Sequence, residues 1–539
     1  MLILIVLLAI GQPPAADDQR PGTATLRGHV LAADTGRPLR KAQVRIFAGE
    51  IRENRVATTD DNGRYEFKEV KAGRYTINAT KGSYISLSYG QTRPLEPGTP
   101  LEIKDGQTVE RVDFSLPRGA VITGRIFDEF GEPLSDVMVA PMRYQFMQGK
   151  RTLVSAGRQS TTDDNGEFRL FGITPGQYYL QATWRSNMGF GGPGGENQPA
   201  YAPMFFPGVL EASEAQRFTI GVSQQLSDLV MALKPTKAVR VSGTVLTSDG
   251  RPATGMLNVI RIVGMGFASN MGAIIKPDGS FELNAVTPGE YQFRSFPNAP
   301  PGPDTETANA KVTVGSEDIT DLHLITSKPV SVAGRVIVDP AAAQSLPASL
   351  FVTAFPMDGP NFGGFGQPGR VADDYTFELK TAPGRARISL SNPPAGWSIL
   401  AVRLNGADVI DTGIEFKPNQ NVRGLEVELT NKVSVVTGLV TAGRGEASRD
   451  YTAIAFPQDS DRWKDTNSRY IRTGRPDQDG RFKISGLPSG DYLLIAVDHV
   501  NPGEFSDPEF LERVRTKATR FSLTEGETKS IDLKLNSSS

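Results

Sequence analysis

Cysteine is absent from the 539 residues. That excludes a disulfide framework, a thiolate-bound zinc or iron–sulfur centre, and a thiol nucleophile. Histidine is scarce, with three copies. A peptidase-type zinc site needs a His with a Glu three residues on, yet His29, His323 and His499 are followed at that distance by Ala32, Thr326 and Pro502. No HExxH and no Gly-x-Ser-x-Gly elbow occurs, and Tyr144 stands where a phosphate loop ending at Gly149-Lys150 needs glycine. Charge of one sign is lacking too: 58 basic residues face 60 acidic ones. No global field draws the chain to nucleic acid or anionic lipid.

Long apolar runs are missing apart from Met1 to Ile10, MLILIVLLAI. A spanning helix needs about 20 residues, so this run is too short for one. It suits the core of a secretory signal, although no Lys or Arg precedes it; Ala15-Ala16 offers a cleavage region, and the mature chain is expected to start near Asp17. The chain is accordingly expected to be exported, without a transmembrane helix, and placed in the periplasm, at the outer membrane or outside the cell. Helical pattern is nearly absent as well. One short exception starts at Asp507-Pro508, a cap followed by Pro at the first helical position, with Phe510, Leu511 and Val514 on one face.

What the chain does contain is 56 Gly, 38 Pro, 27 Phe and 13 Tyr, arranged in a repeat. Its most legible part is a hairpin turn, an aromatic strand, a Pro/Gly turn and a Tyr-led strand. Asp60-Asp61-Asn62-Gly63-Arg64-Tyr65 leads to Tyr75, Asp163-Asp164-Asn165-Gly166-Glu167-Phe168 to Tyr178, and Asp278-Gly279-Ser280-Phe281 to Tyr291. Asp479-Gly480-Arg481-Phe482 leads to Tyr492; the weakest copy, Asp373-Asp374-Tyr375-Thr376-Phe377, leads to Ala386. Spacings of 95 to 113 residues between these end points suit whole domains rather than a solenoid. Each copy opens on an alternating strand centred on glycine: Gly28, Gly124, Gly243, Gly334 and Gly438. Period two with one apolar face means a strand packed on one side, and glycine there predicts close approach of a facing backbone or ring. Asn-Gly and Asp-Gly between alternating runs predict hairpins whose glycine takes positive φ. Short strands with frequent turn signals indicate β-sandwiches. Connectors of a few residues, such as Pro117-Arg118-Gly119 and Ser327-Lys328-Pro329, predict a semi-rigid string.

The opening strand with central Gly, the Gly-x-Pro-Leu turn at Gly36 and Gly131, the Asp-x-Asn-Gly hairpin and the Pro-Gly-x-Tyr turn together resemble the carboxypeptidase regulatory-like domain. That family is similar in fold to transthyretin and to the B-type repeats of bacterial collagen adhesins. The resemblance implies an all-β chain, a tandem array of five transthyretin-like (prealbumin-like) antiparallel β-sandwich domains in a bacterial exported protein. The implied division is a signal peptide at 1–16 and sandwiches at 17–117, 118–235, 236–328, 329–430 (degenerate) and 431–539. The family name comes from a non-catalytic domain beside a zinc carboxypeptidase, so it carries no activity.

Few residues stand out as a site. The acidic turns suggest calcium superficially, but no Glu closes a twelve-residue loop: the twelfth residues are Lys71 and Thr174. The glycine-rich stretches at 189–194 and 364–369 fit G-x-G-x-x-G, but a dinucleotide site also needs a following helix, and neither has a helical pattern after it. These stretches and Gly264-Met265-Gly266-Phe267 put Phe190, Phe267 and Phe365 on glycine backbones as candidate ligand contacts. Trp184 reads as core, whereas Trp397 and Trp463 lie nearer loops and join the candidates. No catalytic residue, cofactor or metal site is expected. The function expected is a non-catalytic scaffold or binding protein, monomeric, with an extracellular glycan or protein partner. Carbohydrate binding through the loop aromatics is the alternative.

Overall fold

The computed structural model describes residues 21–537 apart from 52, 92–95, 148–149, 185–200, 264–265, 299–301, 303, 340–349, 358–365, 392–395, 444 and 465–467. The signal segment expected at 1–16 lies outside these described residues.

The first sandwich shows how the repeat folds. Its opening strand Ala24–Ala32 buries every second residue, as period two requires. It pairs antiparallel with Arg64–Val70, the strand after the hairpin turn. It pairs parallel with Thr108–Val109 and Phe114–Leu116, the closing strands. The facing sheet places Gln43–Ala48 between Glu53–Thr58 and Gly73–Thr80, all antiparallel. Opening strands Ala120–Phe127, Val239–Leu246, Val330–Val338 and Val435–Thr441 repeat the arrangement, each with one antiparallel hairpin neighbour and a parallel closing neighbour. The antiparallel expectation therefore needs one amendment: the first and last strands of each sandwich run the same way. A parallel pair needs a long crossover, and here the whole facing sheet supplies it.

The opening-strand glycines have a common reason. Each lies directly opposite the hairpin aromatic: Gly28 opposite Tyr65, Gly124 opposite Phe168, Gly243 opposite Phe281, Gly334 opposite Phe377 and Gly438 opposite Phe482. A Cβ on Gly28 would sit 2.0 Å from the carbonyl oxygen of Val112 and 2.9 Å from the Tyr65 hydroxyl. On Gly438 it would sit 1.9 Å from the Ile531 oxygen and 3.0 Å from the Phe482 ring. A backbone carbonyl and a ring thus both press on the spot, and only a residue without Cβ fits.

The hairpin glycines Gly63, Gly166, Gly279 and Gly480 have φ of 72°, 71°, 83° and 78°. In the degenerate copy Tyr375 holds that place at φ 65°, with its side chain packed against the local core. The first acidic residue of each turn closes it. Asp60 Oδ1 accepts from the N–H groups of Asn62 and Arg64, and Asp163 Oδ1 from those of Asn165 and Glu167.

Separate apolar clusters fill the sandwiches, within 24–116, 120–233, 239–324, 330–429 and 436–533. Tyr75, Tyr178, Tyr291 and Tyr492 are fully buried in them. Each hydroxyl donates to the carbonyl four residues before it, at 2.9, 2.8, 2.7 and 2.7 Å. Burial brings about 2–3 kcal/mol per ring, provided the hydroxyl keeps a partner. Ala386 gives the fourth copy neither.

The sandwiches are not strung out. The first meets the last, 376 to 433 residues away in sequence. Gln478 bonds both ways with the backbone of Glu102, its Oε1 accepting at 3.1 Å and its Nε2 donating at 3.3 Å. Lys483 pairs with Glu50 at 3.2 Å, Arg74 donates to the Arg475 carbonyl at 3.0 Å, and His499 Nδ1 meets Glu96. These contacts are polar, so the cores stay separate while the chain closes on itself.

Candidate binding site

Of the candidate aromatics, the two tryptophans have described side chains, and both are buried. Phe190 and Phe365 lie outside the described residues. Phe267 sits in the strand Gly266–Ile275 opposite Ile262, its side chain outside the described set. The two tryptophans are corrections to the loop reading. Trp397 is buried in the fourth core. Trp463 ends a 3-10 turn, Ser460–Trp463, that folds it inward; it is 3% exposed and its Nε1 donates to the Pro457 carbonyl at 2.8 Å. Both residues are close to loops in sequence, but each ring has more apolar surface to bury than a loop can leave wet. His323 is exposed and bonds Thr244 Oγ1 at 2.8 Å. No group of three or more potential metal-ligating side chains occurs among the described residues.

A cleft of about 620 Å³ opens instead between the second and third sandwiches. Leu153 and Phe205 line it and belong to a second apolar cluster of the second sandwich, with Ala140 and Met142. The strand Val137–Met147 supplies Tyr144, which meets Tyr179 edge-on at 5.7 Å and carries Arg151 over its face at 4.5 Å. Leu210 stands on the rim, 51% exposed. The third sandwich closes the other side with Arg261, Ile262 and Glu290. Arg261 is anchored by its own turn, donating to Thr287 Oγ1 at 3.2 Å and the Pro288 carbonyl at 2.9 Å. Gln181 lines the cleft, is 4% exposed, and its Nε2 has no partner. A buried amide donor left unpaired costs about 1–3 kcal/mol, and an acceptor entering the cleft removes that cost.

Sequence spacing could not point to this cleft, because its walls come from two sandwiches. Gln181 and Thr183 are both polar and both buried in the strand run Tyr178 to Trp184, so the run by itself does not single out Gln181.

The fold defines a class: an all-β chain of tandem sandwiches, each closed by a parallel pairing of its first and last strands. Residues 25–117, the first sandwich, match the family model of the carboxypeptidase regulatory-like domain. A search of the curated proteins finds no match. Among solved structures, a streptococcal ancillary pilin is similar at 13% identity and a TM-score of 0.21, over 56% of this chain and 98% of its own. The minor pilin of Streptococcus agalactiae is similar at 14% and 0.23, over 40% and 96%. Two B repeat units of the collagen binding protein of Staphylococcus aureus are similar at 12% and 0.14, over 76% and 99%. At these scores none of the three bears on what the chain binds or does. No described helix is long and apolar enough to cross a membrane.

Proposed function

We propose that the chain is an exported, non-catalytic scaffold of five sandwiches with the boundaries given above, monomeric, presenting a binding cleft to an extracellular glycan or protein. One observation carries this reading. The first aspartate of the hairpin turn and the recurrent tyrosine hydroxyl both serve to hold backbone: the aspartate caps the turn and the hydroxyl binds a carbonyl. A repeated active site would instead repeat a reactive group, with its partner and room for substrate. Glycan binding is the second reading. It is favoured by the unpaired Gln181 donor in a cleft that Tyr144, Leu153 and Phe205 also line, not by the tryptophans.

The test is a glycan array with the purified chain, followed by calorimetric titration of each hit. Binding that Gln181→Leu or Tyr144→Ala weakens about tenfold or more assigns a glycan to the cleft. Silence across the array, with retained capture of a protein that the same variants release, assigns a protein partner. Turnover in a hydrolase screen that co-purifies with the chain would falsify the non-catalytic reading.

A further inference from the structure

A second cavity, about 330 Å³, lies where the fourth and fifth sandwiches meet. It differs from the cleft in charge. Arg387, Lys432, Arg469 and Arg472 line it against two acids, Asp411 and Glu525. The acids are engaged. Asp411 takes the Arg469 Nε at 3.0 and 3.3 Å, and Glu525 accepts from Thr430 Oγ1 at 2.6 Å. Lys432 faces Asp339 at 3.9 Å. Arg472 is different: its bonds go to the carbonyls of Ser468 and Ile471, at 3.2 and 3.1 Å, and it makes no ion pair among the described residues. Desolvation holds its guanidinium below its ordinary value, Tyr492 opposes this and Arg469 adds to it, while the residue as a whole stays exposed. Arg469 has Asp411 as its counter-charge, whereas Arg472 has no carboxylate of its own and is open to an anion.

The rest of the lining narrows the class. Ser389 and Ser398 border the cavity, and their hydroxyls have no side-chain hydrogen bond recorded among the described residues; Ser489 at the mouth is the same. Leu487 and Pro488 provide an apolar side. A guanidinium fork matches a carboxylate, and serine hydroxyls match a polyol. The volume is at the lower end for small-molecule sites and leaves space for about one sugar ring rather than a folded partner.

We infer that this cavity binds a hexuronate, its carboxylate held by Arg472 and its ring hydroxyls by Ser389 and Ser398. The inference stands apart from the scaffold reading and from the Gln181 cleft, since it uses neither. Binding here ties the fourth sandwich to the fifth, because Ser389 and Ser398 belong to one and Arg472 to the other.

The test is calorimetric titration of the full chain at low salt with glucuronate, galacturonate, glucose and acetate. The expected result is saturable binding of one uronate, about tenfold or more tighter than glucose, which lacks the charge, and than acetate, which lacks the hydroxyls. Arg472→Gln should weaken it about tenfold or more with the melting temperature unchanged. Ser398→Ala, which leaves every charge in place, should weaken it about threefold and carries the test if Arg472→Gln lowers the melting temperature. Silence of both uronates overturns the inference. So does acetate or glucose binding as tightly as the uronate, or unaltered uronate affinity in the folded Arg472 and Ser398 variants.

Discussion

The first and last sandwiches share a framework and bury it differently. Phe47 and Phe456 occupy the same place: each pairs with the residue that follows the recurrent tyrosine, Thr76 in one and Leu493 in the other. Phe47 is 48% exposed, whereas Phe456 is wholly buried. The strand around Phe47 alternates buried and exposed, while Thr452–Pro457 is buried at every position. The cause is the helix Pro508–Arg515 with the turn at Trp463. Phe510, Leu511 and Val514 cover the outer face of the last sheet and build a second core there. The helix starts as its sequence predicts, with Asp507 capping the Glu509 N–H at 3.1 Å and Pro508 following. One insertion thus converts a sheet wet on one side into a sheet buried on both, and the outer residues turn apolar to match.

The largest expected effect breaks this comparison directly. Phe456→Ala should cost about 3–5 kcal/mol, whereas Phe47→Ala should stay within about 0.5 kcal/mol. Hydrogen exchange read separately on Gly490–Val497 and Gly73–Thr80 checks both; equal losses would show that the helix does not cover the last sheet.

A middle-sized effect sharpens it at the hairpins. Gly63 and Gly480 share a left-handed φ, but a Cβ on Gly63 meets the Val30 carbonyl oxygen at 2.6 Å, and on Gly480 the nearest atom is the Ser448 oxygen at 3.2 Å. Gly480→Ala should cost about 1 kcal/mol for the backbone conformation alone, and Gly63→Ala about 2–4 kcal/mol because the strand must also shift. The same exchange measurement separates them, and a larger cost at Gly480 contradicts the close approach at Gly63.

The smallest effect concerns the contact between these two sandwiches. The Lys483–Glu50 pair is partly exposed, so it is worth at most about 1 kcal/mol, and less in salt. Glu50→Lys should enlarge the radius of gyration slightly at low salt, and adding Lys483→Glu should restore it. Small-angle scattering that is blind to both changes would mean that the other contacts hold the ends together alone.

Much of this was legible. Glycine opposite a hairpin aromatic, the Asp-capped turn and the buried tyrosine all follow from period two and from residues with special backbone freedom. Even the failure of the fourth copy could be read, since Tyr375 and Ala386 replace the usual Gly and Tyr. The tryptophans misled because proximity to a loop says nothing of which way a short turn folds its ring. Neither cavity could be found, since Gln181 and Arg261, like Ser398 and Arg472, come to line one cavity only after sandwiches dock.

By itself the sequence determined the strands, their turns and the repeated sandwich, because those depend on alternation and on neighbours a few residues apart. The tertiary structure alone decided that the first sandwich touches the last and where clefts open between them. Those features rest on surfaces of different sandwiches, hundreds of residues apart where the first meets the last, and their weak polar contacts leave no periodic trace in the chain.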